Sequence, residues 1–458
     1  MVLAAGLLVA PMWGHVDDTD AQLYQVIIRH LVRDHRWLKL SYLPTLHPQF
    51  REHLPFGFWP GALCVRLLHT ERCLPLLGAL WSLLTVGLVG WEARRIGGWW
   101  AAVSSMGLLA FNETFFRYGA RARLDPLLIL LSFTSAVPLL GGPVTKFKWI
   151  KAALGASLSV LVKGPFGLVL LSAAVLARGL QERKRSFWAK GIAALCAALI
   201  PISIFLLVDK LWWGGAWWNG YVREQLLASA SGHRVDGTDG FFFPFLSIAG
   251  RFWPGLPLVG WAVWNAWRPS PRVAADLRVS LRLLSLSAIF SLLILCLPHR
   301  KWWNHELIAY PVLALLAGVG SQPWLSAFFH LKHRIAVAAV AGCLLTASVW
   351  TLTLTGMGRH LLPAPCVVST DFSLALSRLA SHSTPVFEVS AEPDWQIIAE
   401  LAAEKNLEPI WRAALPVEAP PGSIALVNDQ TFDSFRKLPL RWALIRRAAG
   451  WALCEKNS

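Results

Sequence analysis

The run CLPLLGALWSLLTVGLVGW, from Cys73 to Trp91, carries no charged residue, and Glu92, Arg94 and Arg95 follow it at once. A helix of about 20 apolar residues is what crosses the hydrocarbon core of a bilayer. Outward from this run the pattern repeats. Apolar stretches occupy Trp99–Phe111, Pro126–Leu140, Ile150–Val162, Phe166–Leu176, Phe187–Val208, Phe245–Trp267, Leu281–Leu297, Leu307–Gly320 and Ile335–Thr355. With the shorter Met1–Gly14 they predict about eleven spans by the length rule. Tryptophan stands at many of their ends, where an amphipathic ring prefers the membrane interface.

The basic residues predict the orientation. Arg94 and Arg95, Lys146 to Lys151, Arg178 to Lys190, Arg268 to Arg278, and Lys332 with Arg334 fall in alternate short loops. Short basic loops are retained in the cytoplasm, so these form the inner side. The outer side then holds the loop His15–Arg72, the segment Asn112–Asp125, the turn at Lys163, Asp209–Phe243, His299–Glu306 and the chain after Thr355. No Lys or Arg precedes Met1–Gly14, which disfavours a cleaved signal peptide and suggests a misplaced start.

Composition agrees with a membrane protein. Hydrophobic residues make up 55% of the 458 and charged residues only 15%, too apolar for a soluble enzyme of this length. The net charge of +16 is split into short clusters between spans, not gathered into one stripe, which excludes nucleic-acid binding and favours contact with anionic lipids. The seven cysteines show no metal-type spacing.

Two regions depart from the spanning pattern. In the first outer loop Leu23, Ile27 and Leu31 recur at helical spacing with Arg29, Arg33 and Arg36 elsewhere around the helix, which predicts an interfacial amphipathic helix. Phe56–Leu68 reads as a second, surface-lying helix. Residues 356–458 break into strand-length runs (Cys366–Ser369, Val386–Val389, Ile424–Val427, Trp442–Ile445, Trp451–Cys454). Helical stretches near Phe372–Ala380 and Trp395–Glu404 alternate with them, and proline-rich junctions punctuate the region. The expected architecture is therefore mainly α: a polytopic membrane bundle over 1–355, with juxtamembrane helices in its first loop, and a small outer α/β domain over 356–458. Cys366 and Cys454 are that domain's cysteines, and a disulfide between them or two buried thiols are both open.

The outer loops carry the chemistry-bearing residues. The first contains Asp17, Asp18 and Asp20, then Tyr24, Trp37 and the element Glu52-His53-Leu54-Pro55. Arg121-Ala122-Arg123-Leu124-Asp125 directly precedes a span, Lys163-Gly164-Pro165 sits at a span edge, and His299-Arg300-Lys301 precedes Tyr310-Pro311. Any one of these could be ordinary snorkelling at a helix end. Together they set carboxylates and cations on one face of the membrane.

In this order the elements resemble the GT-C glycosyltransferases that use polyprenyl-phosphate sugars, in the branch of the lipid A aminoarabinose transferases and protein O-mannosyltransferases. The spacing to Tyr24 and Trp37 matches Asp20 to that family's catalytic aspartate, although Ala21 stands where the family has a second acid. Glu52 to Pro55 resembles its Glu-Lys-Pro-Pro element with His53 in the lysine's place, Arg121 to Asp125 its Arg-x-x-x-Asp, and Lys163-Gly164-Pro165 its Lys-Gly-Pro. Arg300-Lys301 with Tyr310-Pro311 resembles its late basic element. The resemblance covers Met1 to about Gly320.

It implies transfer of a sugar from a polyprenyl phosphate to a lipid, glycan or protein of the cell envelope, on the periplasmic side of a bacterial inner membrane. Asp20 would be the base, and Tyr24, Glu52, His53, Arg121, Asp125, Lys163, Arg300 and Lys301 would bind substrate. No glycine-rich nucleotide loop is present, in keeping with a lipid-linked donor. No metal ligand is assigned among the site residues, although Glu52, His53 and His233 could form an oxygen/nitrogen site for a divalent metal. The alternative, a transporter or flippase of a lipid-linked substrate, would put ionisable residues near mid-membrane. Here Asp125, Lys163 and Asp209 lie at span ends.

Overall fold

A computed structural model describes residues 19–42, 49–234, 237–268 and 273–328. In the C-terminal region it describes 385–390, 397–398, 401–402, 410–412, 415–416, 418–434, 442–448 and 451–456, with 372, 376, 407 and 409. The expected spans Met1–Gly14 and Ile335–Thr355 and the expected strand Cys366–Ser369 lie outside the described residues. The chain separates into two compact units. One takes in Arg51–Gly57 and Pro75–Gly356, the other Met12–Phe50, Phe58–Leu74 and Met357–Ser458.

The first unit is the membrane bundle. Its helix α3 (Cys73–Ala110) contains two of the expected runs and breaks at Gly98, whose φ of 81° a side chain would strain. Gly90 is packed against the Met106 side chain. In an unbroken helix those residues would be about 24 Å apart, so α3 folds back on itself. A second hairpin follows the same logic. Helices α6 (Lys146–Lys163) and α7 (Val169–Glu182) are joined by the 3-10 turn Gly164–Leu168, and Gly167 lies against the backbone of Ser159 and Val160.

Around these hairpins stand α4 (Glu113–Gly119), α5 (Asp125–Ala136), α8 (Arg185–Trp212), α9 (Phe243–Arg251), α10 (Leu256–Trp267), α11 (Ala275–Cys296) and α12 (Tyr310–Phe328). Among the described residues, five helical segments are long and apolar enough to cross a membrane: Cys73–Ala110, Lys146–Glu182, Arg185–Trp212, Ala275–Cys296 and Asn304–Ser326. The expected span Phe245–Trp267 is instead two helices, α9 and α10, parted at Trp253–Gly255. Pro254 and Pro257 supply no N–H to continue the ladder there. Small side chains bring the helices close, as packing within lipid requires. The Ser132 and Ser159 hydroxyls meet at 2.6 Å between α5 and α6, and Ser132 also donates to the Gly167 carbonyl.

The basic loops share one edge of this unit. Arg178 donates to the carbonyls of Leu139 and Gly142 at 3.1 and 2.8 Å, Lys148 to Gly141 at 2.9 Å, and Gln181 to Val279 at 3.2 Å. Arg95 pairs with Glu92 and lies over Gly141. Lys163 ends α6 seventeen residues away from Lys146, at the other end of that helix.

In the second unit α1 (Thr19–Asp34) packs on α2 (Trp59–Leu68). Here the structure corrects an expectation. The apolar face of α1 was expected in the lipid interface, but Ile27 and Leu31 are buried in protein, Ile28 lies against Gly61, and Tyr24 meets Phe58 edge-on at 5.3 Å. Its Arg29 pairs with Glu71 at 2.7 Å and donates to the Ala402 carbonyl at 2.8 Å. The paired guanidinium and the short, glycine-bearing α2 make protein the better partner for that face. Helix α2 has ten residues, too few to span, and exposes Leu63, Leu67 and Leu68, as a surface-lying helix would.

The tail forms a five-stranded sheet in the order β2-β1-β3-β5-β4. Its strands are β1 (Val386–Val389), β2 (Ile410–Arg412), β3 (Ile424–Asn428), β4 (Trp442–Ala448) and β5 (Trp451–Lys456). Strand β1 is parallel to β2 and β3, and β5 is antiparallel to β3 and β4. Alternate residues feed two apolar layers, one with Val386, Ile424, Leu426 and Leu453, the other with Phe387, Val389, Ala425 and Val427. Strand β2, three residues long, is too short to stand out as a strand-length apolar run. Cys454 is a buried free thiol on β5, and Cys366 lies outside the described residues.

Candidate active site

Asp125 opens α5 with Pro126 behind it, a residue suited to the first helical turn because its missing N–H would have no partner there. The loop leading to it is pinned to α3: Ser82 donates to the Gly119 carbonyl at 2.8 Å, and the Arg121 backbone packs so tightly on Gly78 that a Cβ there would collide with it. This fixes a carboxylate that is only 3% exposed. Asp125 accepts from Lys163 Nζ at 2.9 Å and from Arg123 Nε at 3.0 Å. The two cations are themselves 10% and 5% exposed. One buried carboxylate thus holds two buried cations, which leaves a positive surplus.

More groups surround it. His53 is in the field of Lys163, Asp125, Arg234 and His305. Burial, and then the Lys163 charge, hold its imidazole well below the ordinary histidine range, so it is neutral at neutral pH. The His305 ring lies 4.7 Å from Phe166, which belongs to the turn after Lys163. Tyr118 gathers the arginines of the second loop, with Arg123 4.9 Å, Arg121 5.2 Å and Arg117 6.0 Å from its ring centre. A small cavity beside Asp125 is lined by Ser82, Phe115, Tyr118, Pro126, Ile129 and Leu307.

A π-helical segment, Trp218–Leu227, packs against the neighbouring Gly164 turn and Arg51. Asp209 holds its start by accepting from the backbone N–H groups of Trp217 and Trp218 at 2.9 and 3.1 Å. Its Gly220 lies against Arg51, and its Tyr221 against Gly164.

The expected residues sort unevenly. Asp125, Lys163 and His53 come together. Arg121 stands over Tyr118, and it is Arg123 that grips the carboxylate. Spacing could not separate these two arginines, since both precede Asp125 in one short loop. Arg300 pairs with Asp239 at 3.1 Å, and Lys301 is buried with Nζ 3.4 Å from the His299 carbonyl and its backbone bridged to Thr238. Both therefore belong to the 237–239 contact, not to the Asp125 ion network. Glu52 is exposed. Asp20 stands half-buried in the first turn of α1, with Tyr24 buried one turn later, both in the second unit. Asp17 and Asp18 lie outside the described residues. Arg234, His305 and Tyr221 had no signal in the sequence beyond residue type.

Among the described residues no three His, Cys, Asp or Glu side chains converge. His233 turns back onto the Ser231 hydroxyl at 2.7 Å, after the left-handed Gly232. Glu52, His53 and His233 therefore do not assemble into one set of ligands.

Comparison of the whole fold with solved structures gives extended matches. ArnT from Cupriavidus metallidurans bound to undecaprenyl phosphate aligns with a TM-score of 0.74 and 17% identity, over 99% of this chain and 96% of that one. The same enzyme in its apo state aligns at 0.70 with 17% identity over the same shares. The apo oligosaccharyltransferase of Archaeoglobus fulgidus aligns at 0.52 with 12% identity, over 94% of this chain and 69% of that one. No family model matches the sequence, and no curated protein matches it by sequence. At these identities the matches speak for the fold alone: the chain has the fold of ArnT, a helical membrane bundle with a small sheet at the C-terminus.

Proposed function

We propose that this protein is an integral-membrane glycosyltransferase that moves a sugar from a polyprenyl-phosphate donor to a lipid, glycan or protein acceptor of the cell envelope. The observation that carries the proposal is the Asp125–Lys163–Arg123 cluster, a buried site with more positive than negative charge at a helix end. Surplus cations in a water-poor site suit a phosphate that gathers charge as it leaves. The ArnT likeness supports a lipid-linked phosphate as that anion, since the solved enzyme is bound to undecaprenyl phosphate.

In this proposal an acceptor oxygen attacks the anomeric carbon, and the bond from that carbon to the phosphate oxygen breaks. The phosphate leaves with the bonding pair, stabilised by Lys163 and the arginines. The acceptor's proton passes to the Asp20 carboxylate, the base that the motif match nominates. Asp125 positions Lys163 and Arg123, and Glu52 and Tyr24 stand as acceptor-side contacts. The site faces the periplasm of a bacterial inner membrane, with the basic edge in the cytoplasm.

Transfer of radiolabelled sugar from a short-chain polyprenyl-phosphate donor tests this. Asp20→Asn is expected to lose about a hundredfold or more in rate while inserting and binding donor normally. Near-normal transfer by that variant, with Asp17→Asn or Asp18→Asn inactive, would move the base elsewhere. Movement of intact lipid across vesicles with no transfer would favour a flippase.

A further inference from the structure

The π-helical segment Trp218–Leu227 buries a phenol that the proposed mechanism does not use. Tyr221 is 2% exposed, and among the described residues its hydroxyl has no hydrogen-bond partner. A buried hydroxyl without a partner carries a desolvation penalty, so its position calls for an explanation. The place it points to is specific. The oxygen sits against Gly164, in a left-handed conformation with φ 67° where a Cβ would overlap the phenol. Gly164 directly follows Lys163, whose Nζ is in the Asp125 network. The neighbouring Gly220 packs on Arg51, two residues before His53. One segment therefore touches both the Lys163 turn and the His53 loop. π-helical geometry is uncommon and recurs at functional sites. Here the Asp209 carboxylate stabilises its start. Burial raises the Tyr221 phenol's titration above its ordinary range, so it is a protonated donor at any working pH.

We propose that Tyr221 is a donor-binding residue: its hydroxyl, resting on Gly164, gives a hydrogen bond to the phosphate that Lys163 holds. This rests on the polyprenyl-phosphate reading above and adds a neutral contact to it.

The test compares binding of a short-chain polyprenyl phosphate and of the matching uncharged polyprenol to the full-length protein in detergent. The proteins are wild type, Tyr221→Phe and Lys163→Ala. Tyr221→Phe keeps the ring and removes only the oxygen, and an unchanged melting temperature verifies its fold. The expected result is about tenfold or greater loss of phosphate binding in Tyr221→Phe, with polyprenol binding unchanged. Gly164→Ala, which displaces the phenol, is expected to give a similar loss. Normal phosphate binding by Tyr221→Phe alongside weakened Lys163→Ala would overturn the role of Tyr221 and leave the donor reading intact. Normal binding by both variants would overturn both. Equal losses for phosphate and polyprenol would also overturn it, by showing that the phenol serves the lipid chain.

Discussion

The two ends of the membrane unit use the same residue types for different ends. At the basic edge, Arg178 and Lys148 donate to the carbonyls of Leu139, Gly141 and Gly142, Arg178 also pairs with Glu182, and Arg95 pairs with Glu92. These cations cap the end of a helical segment and close a turn, and Arg95 remains 40% exposed. At the opposite end Lys163 and Arg123 converge on Asp125 with almost no exposure, and neutral His53 and buried Tyr221 lie beside them. The contrast teaches how to separate topology from chemistry in a membrane protein. Cations that satisfy backbone carbonyls hold the fold, whereas cations crowded on a single buried carboxylate keep a charge surplus for a ligand.

The sharpest way to break this comparison is to ask which edge meets the cytoplasm. A reporter active only there, fused at Arg183, is expected to work, and the same reporter fused at the C-terminus is expected to be silent. The reverse pattern would exchange the two edges. Next in size is the buried ion cluster. Asp125→Asn leaves two cations facing each other without their counter-charge and is expected to cost about 3–5 kcal/mol in unfolding. Glu182→Gln, at the partly exposed pair, should cost under about 1 kcal/mol. Equal costs would erase the distinction.

Transfer rate sharpens it further. Lys163→Ala is expected to slow transfer by about a hundredfold, whereas Arg178→Ala should stay within about twofold of wild type, the scale of a partly exposed pair at the other edge. The smallest effect is in pH dependence. His53 is neutral when folded and takes a proton near pH 6.5 when unfolded, so the unfolded state binds more protons below that pH. Stability is therefore full above about pH 6.5 and declines as pH falls further, and His53→Asn should flatten that decline in thermal melts.

The fold was legible in large part because hydropathy is a property of local sequence. Runs such as Cys73–Trp91, Ile150–Val162 and Phe187–Val208 lie in helices where their length and composition place them. The break inside Phe245–Trp267 is hidden from hydropathy because the apolar content continues on both sides of Pro254 and Pro257. The amphipathic face of α1 was seen, but the identity of its partner was not, since lipid and a glycine-bearing helix present the same apolar surface to such a face.

The site divides along the same line. By itself the sequence determined a polytopic membrane chain, the grouping of its basic loops, a C-terminal α/β segment, and a short set of acids and bases at span ends. Only the tertiary structure decided that Asp125 meets Lys163 from 38 residues away, that Arg123 pairs with Asp125 while Arg121 stands over Tyr118, and that Arg300 turns to Asp239. It also brought Tyr221 to Gly164. The physical reason is that burial depends on each residue's own polarity and on its near neighbours in the chain. An ion pair depends on which helix ends are brought within about 3 Å, and packing of distant segments sets that distance.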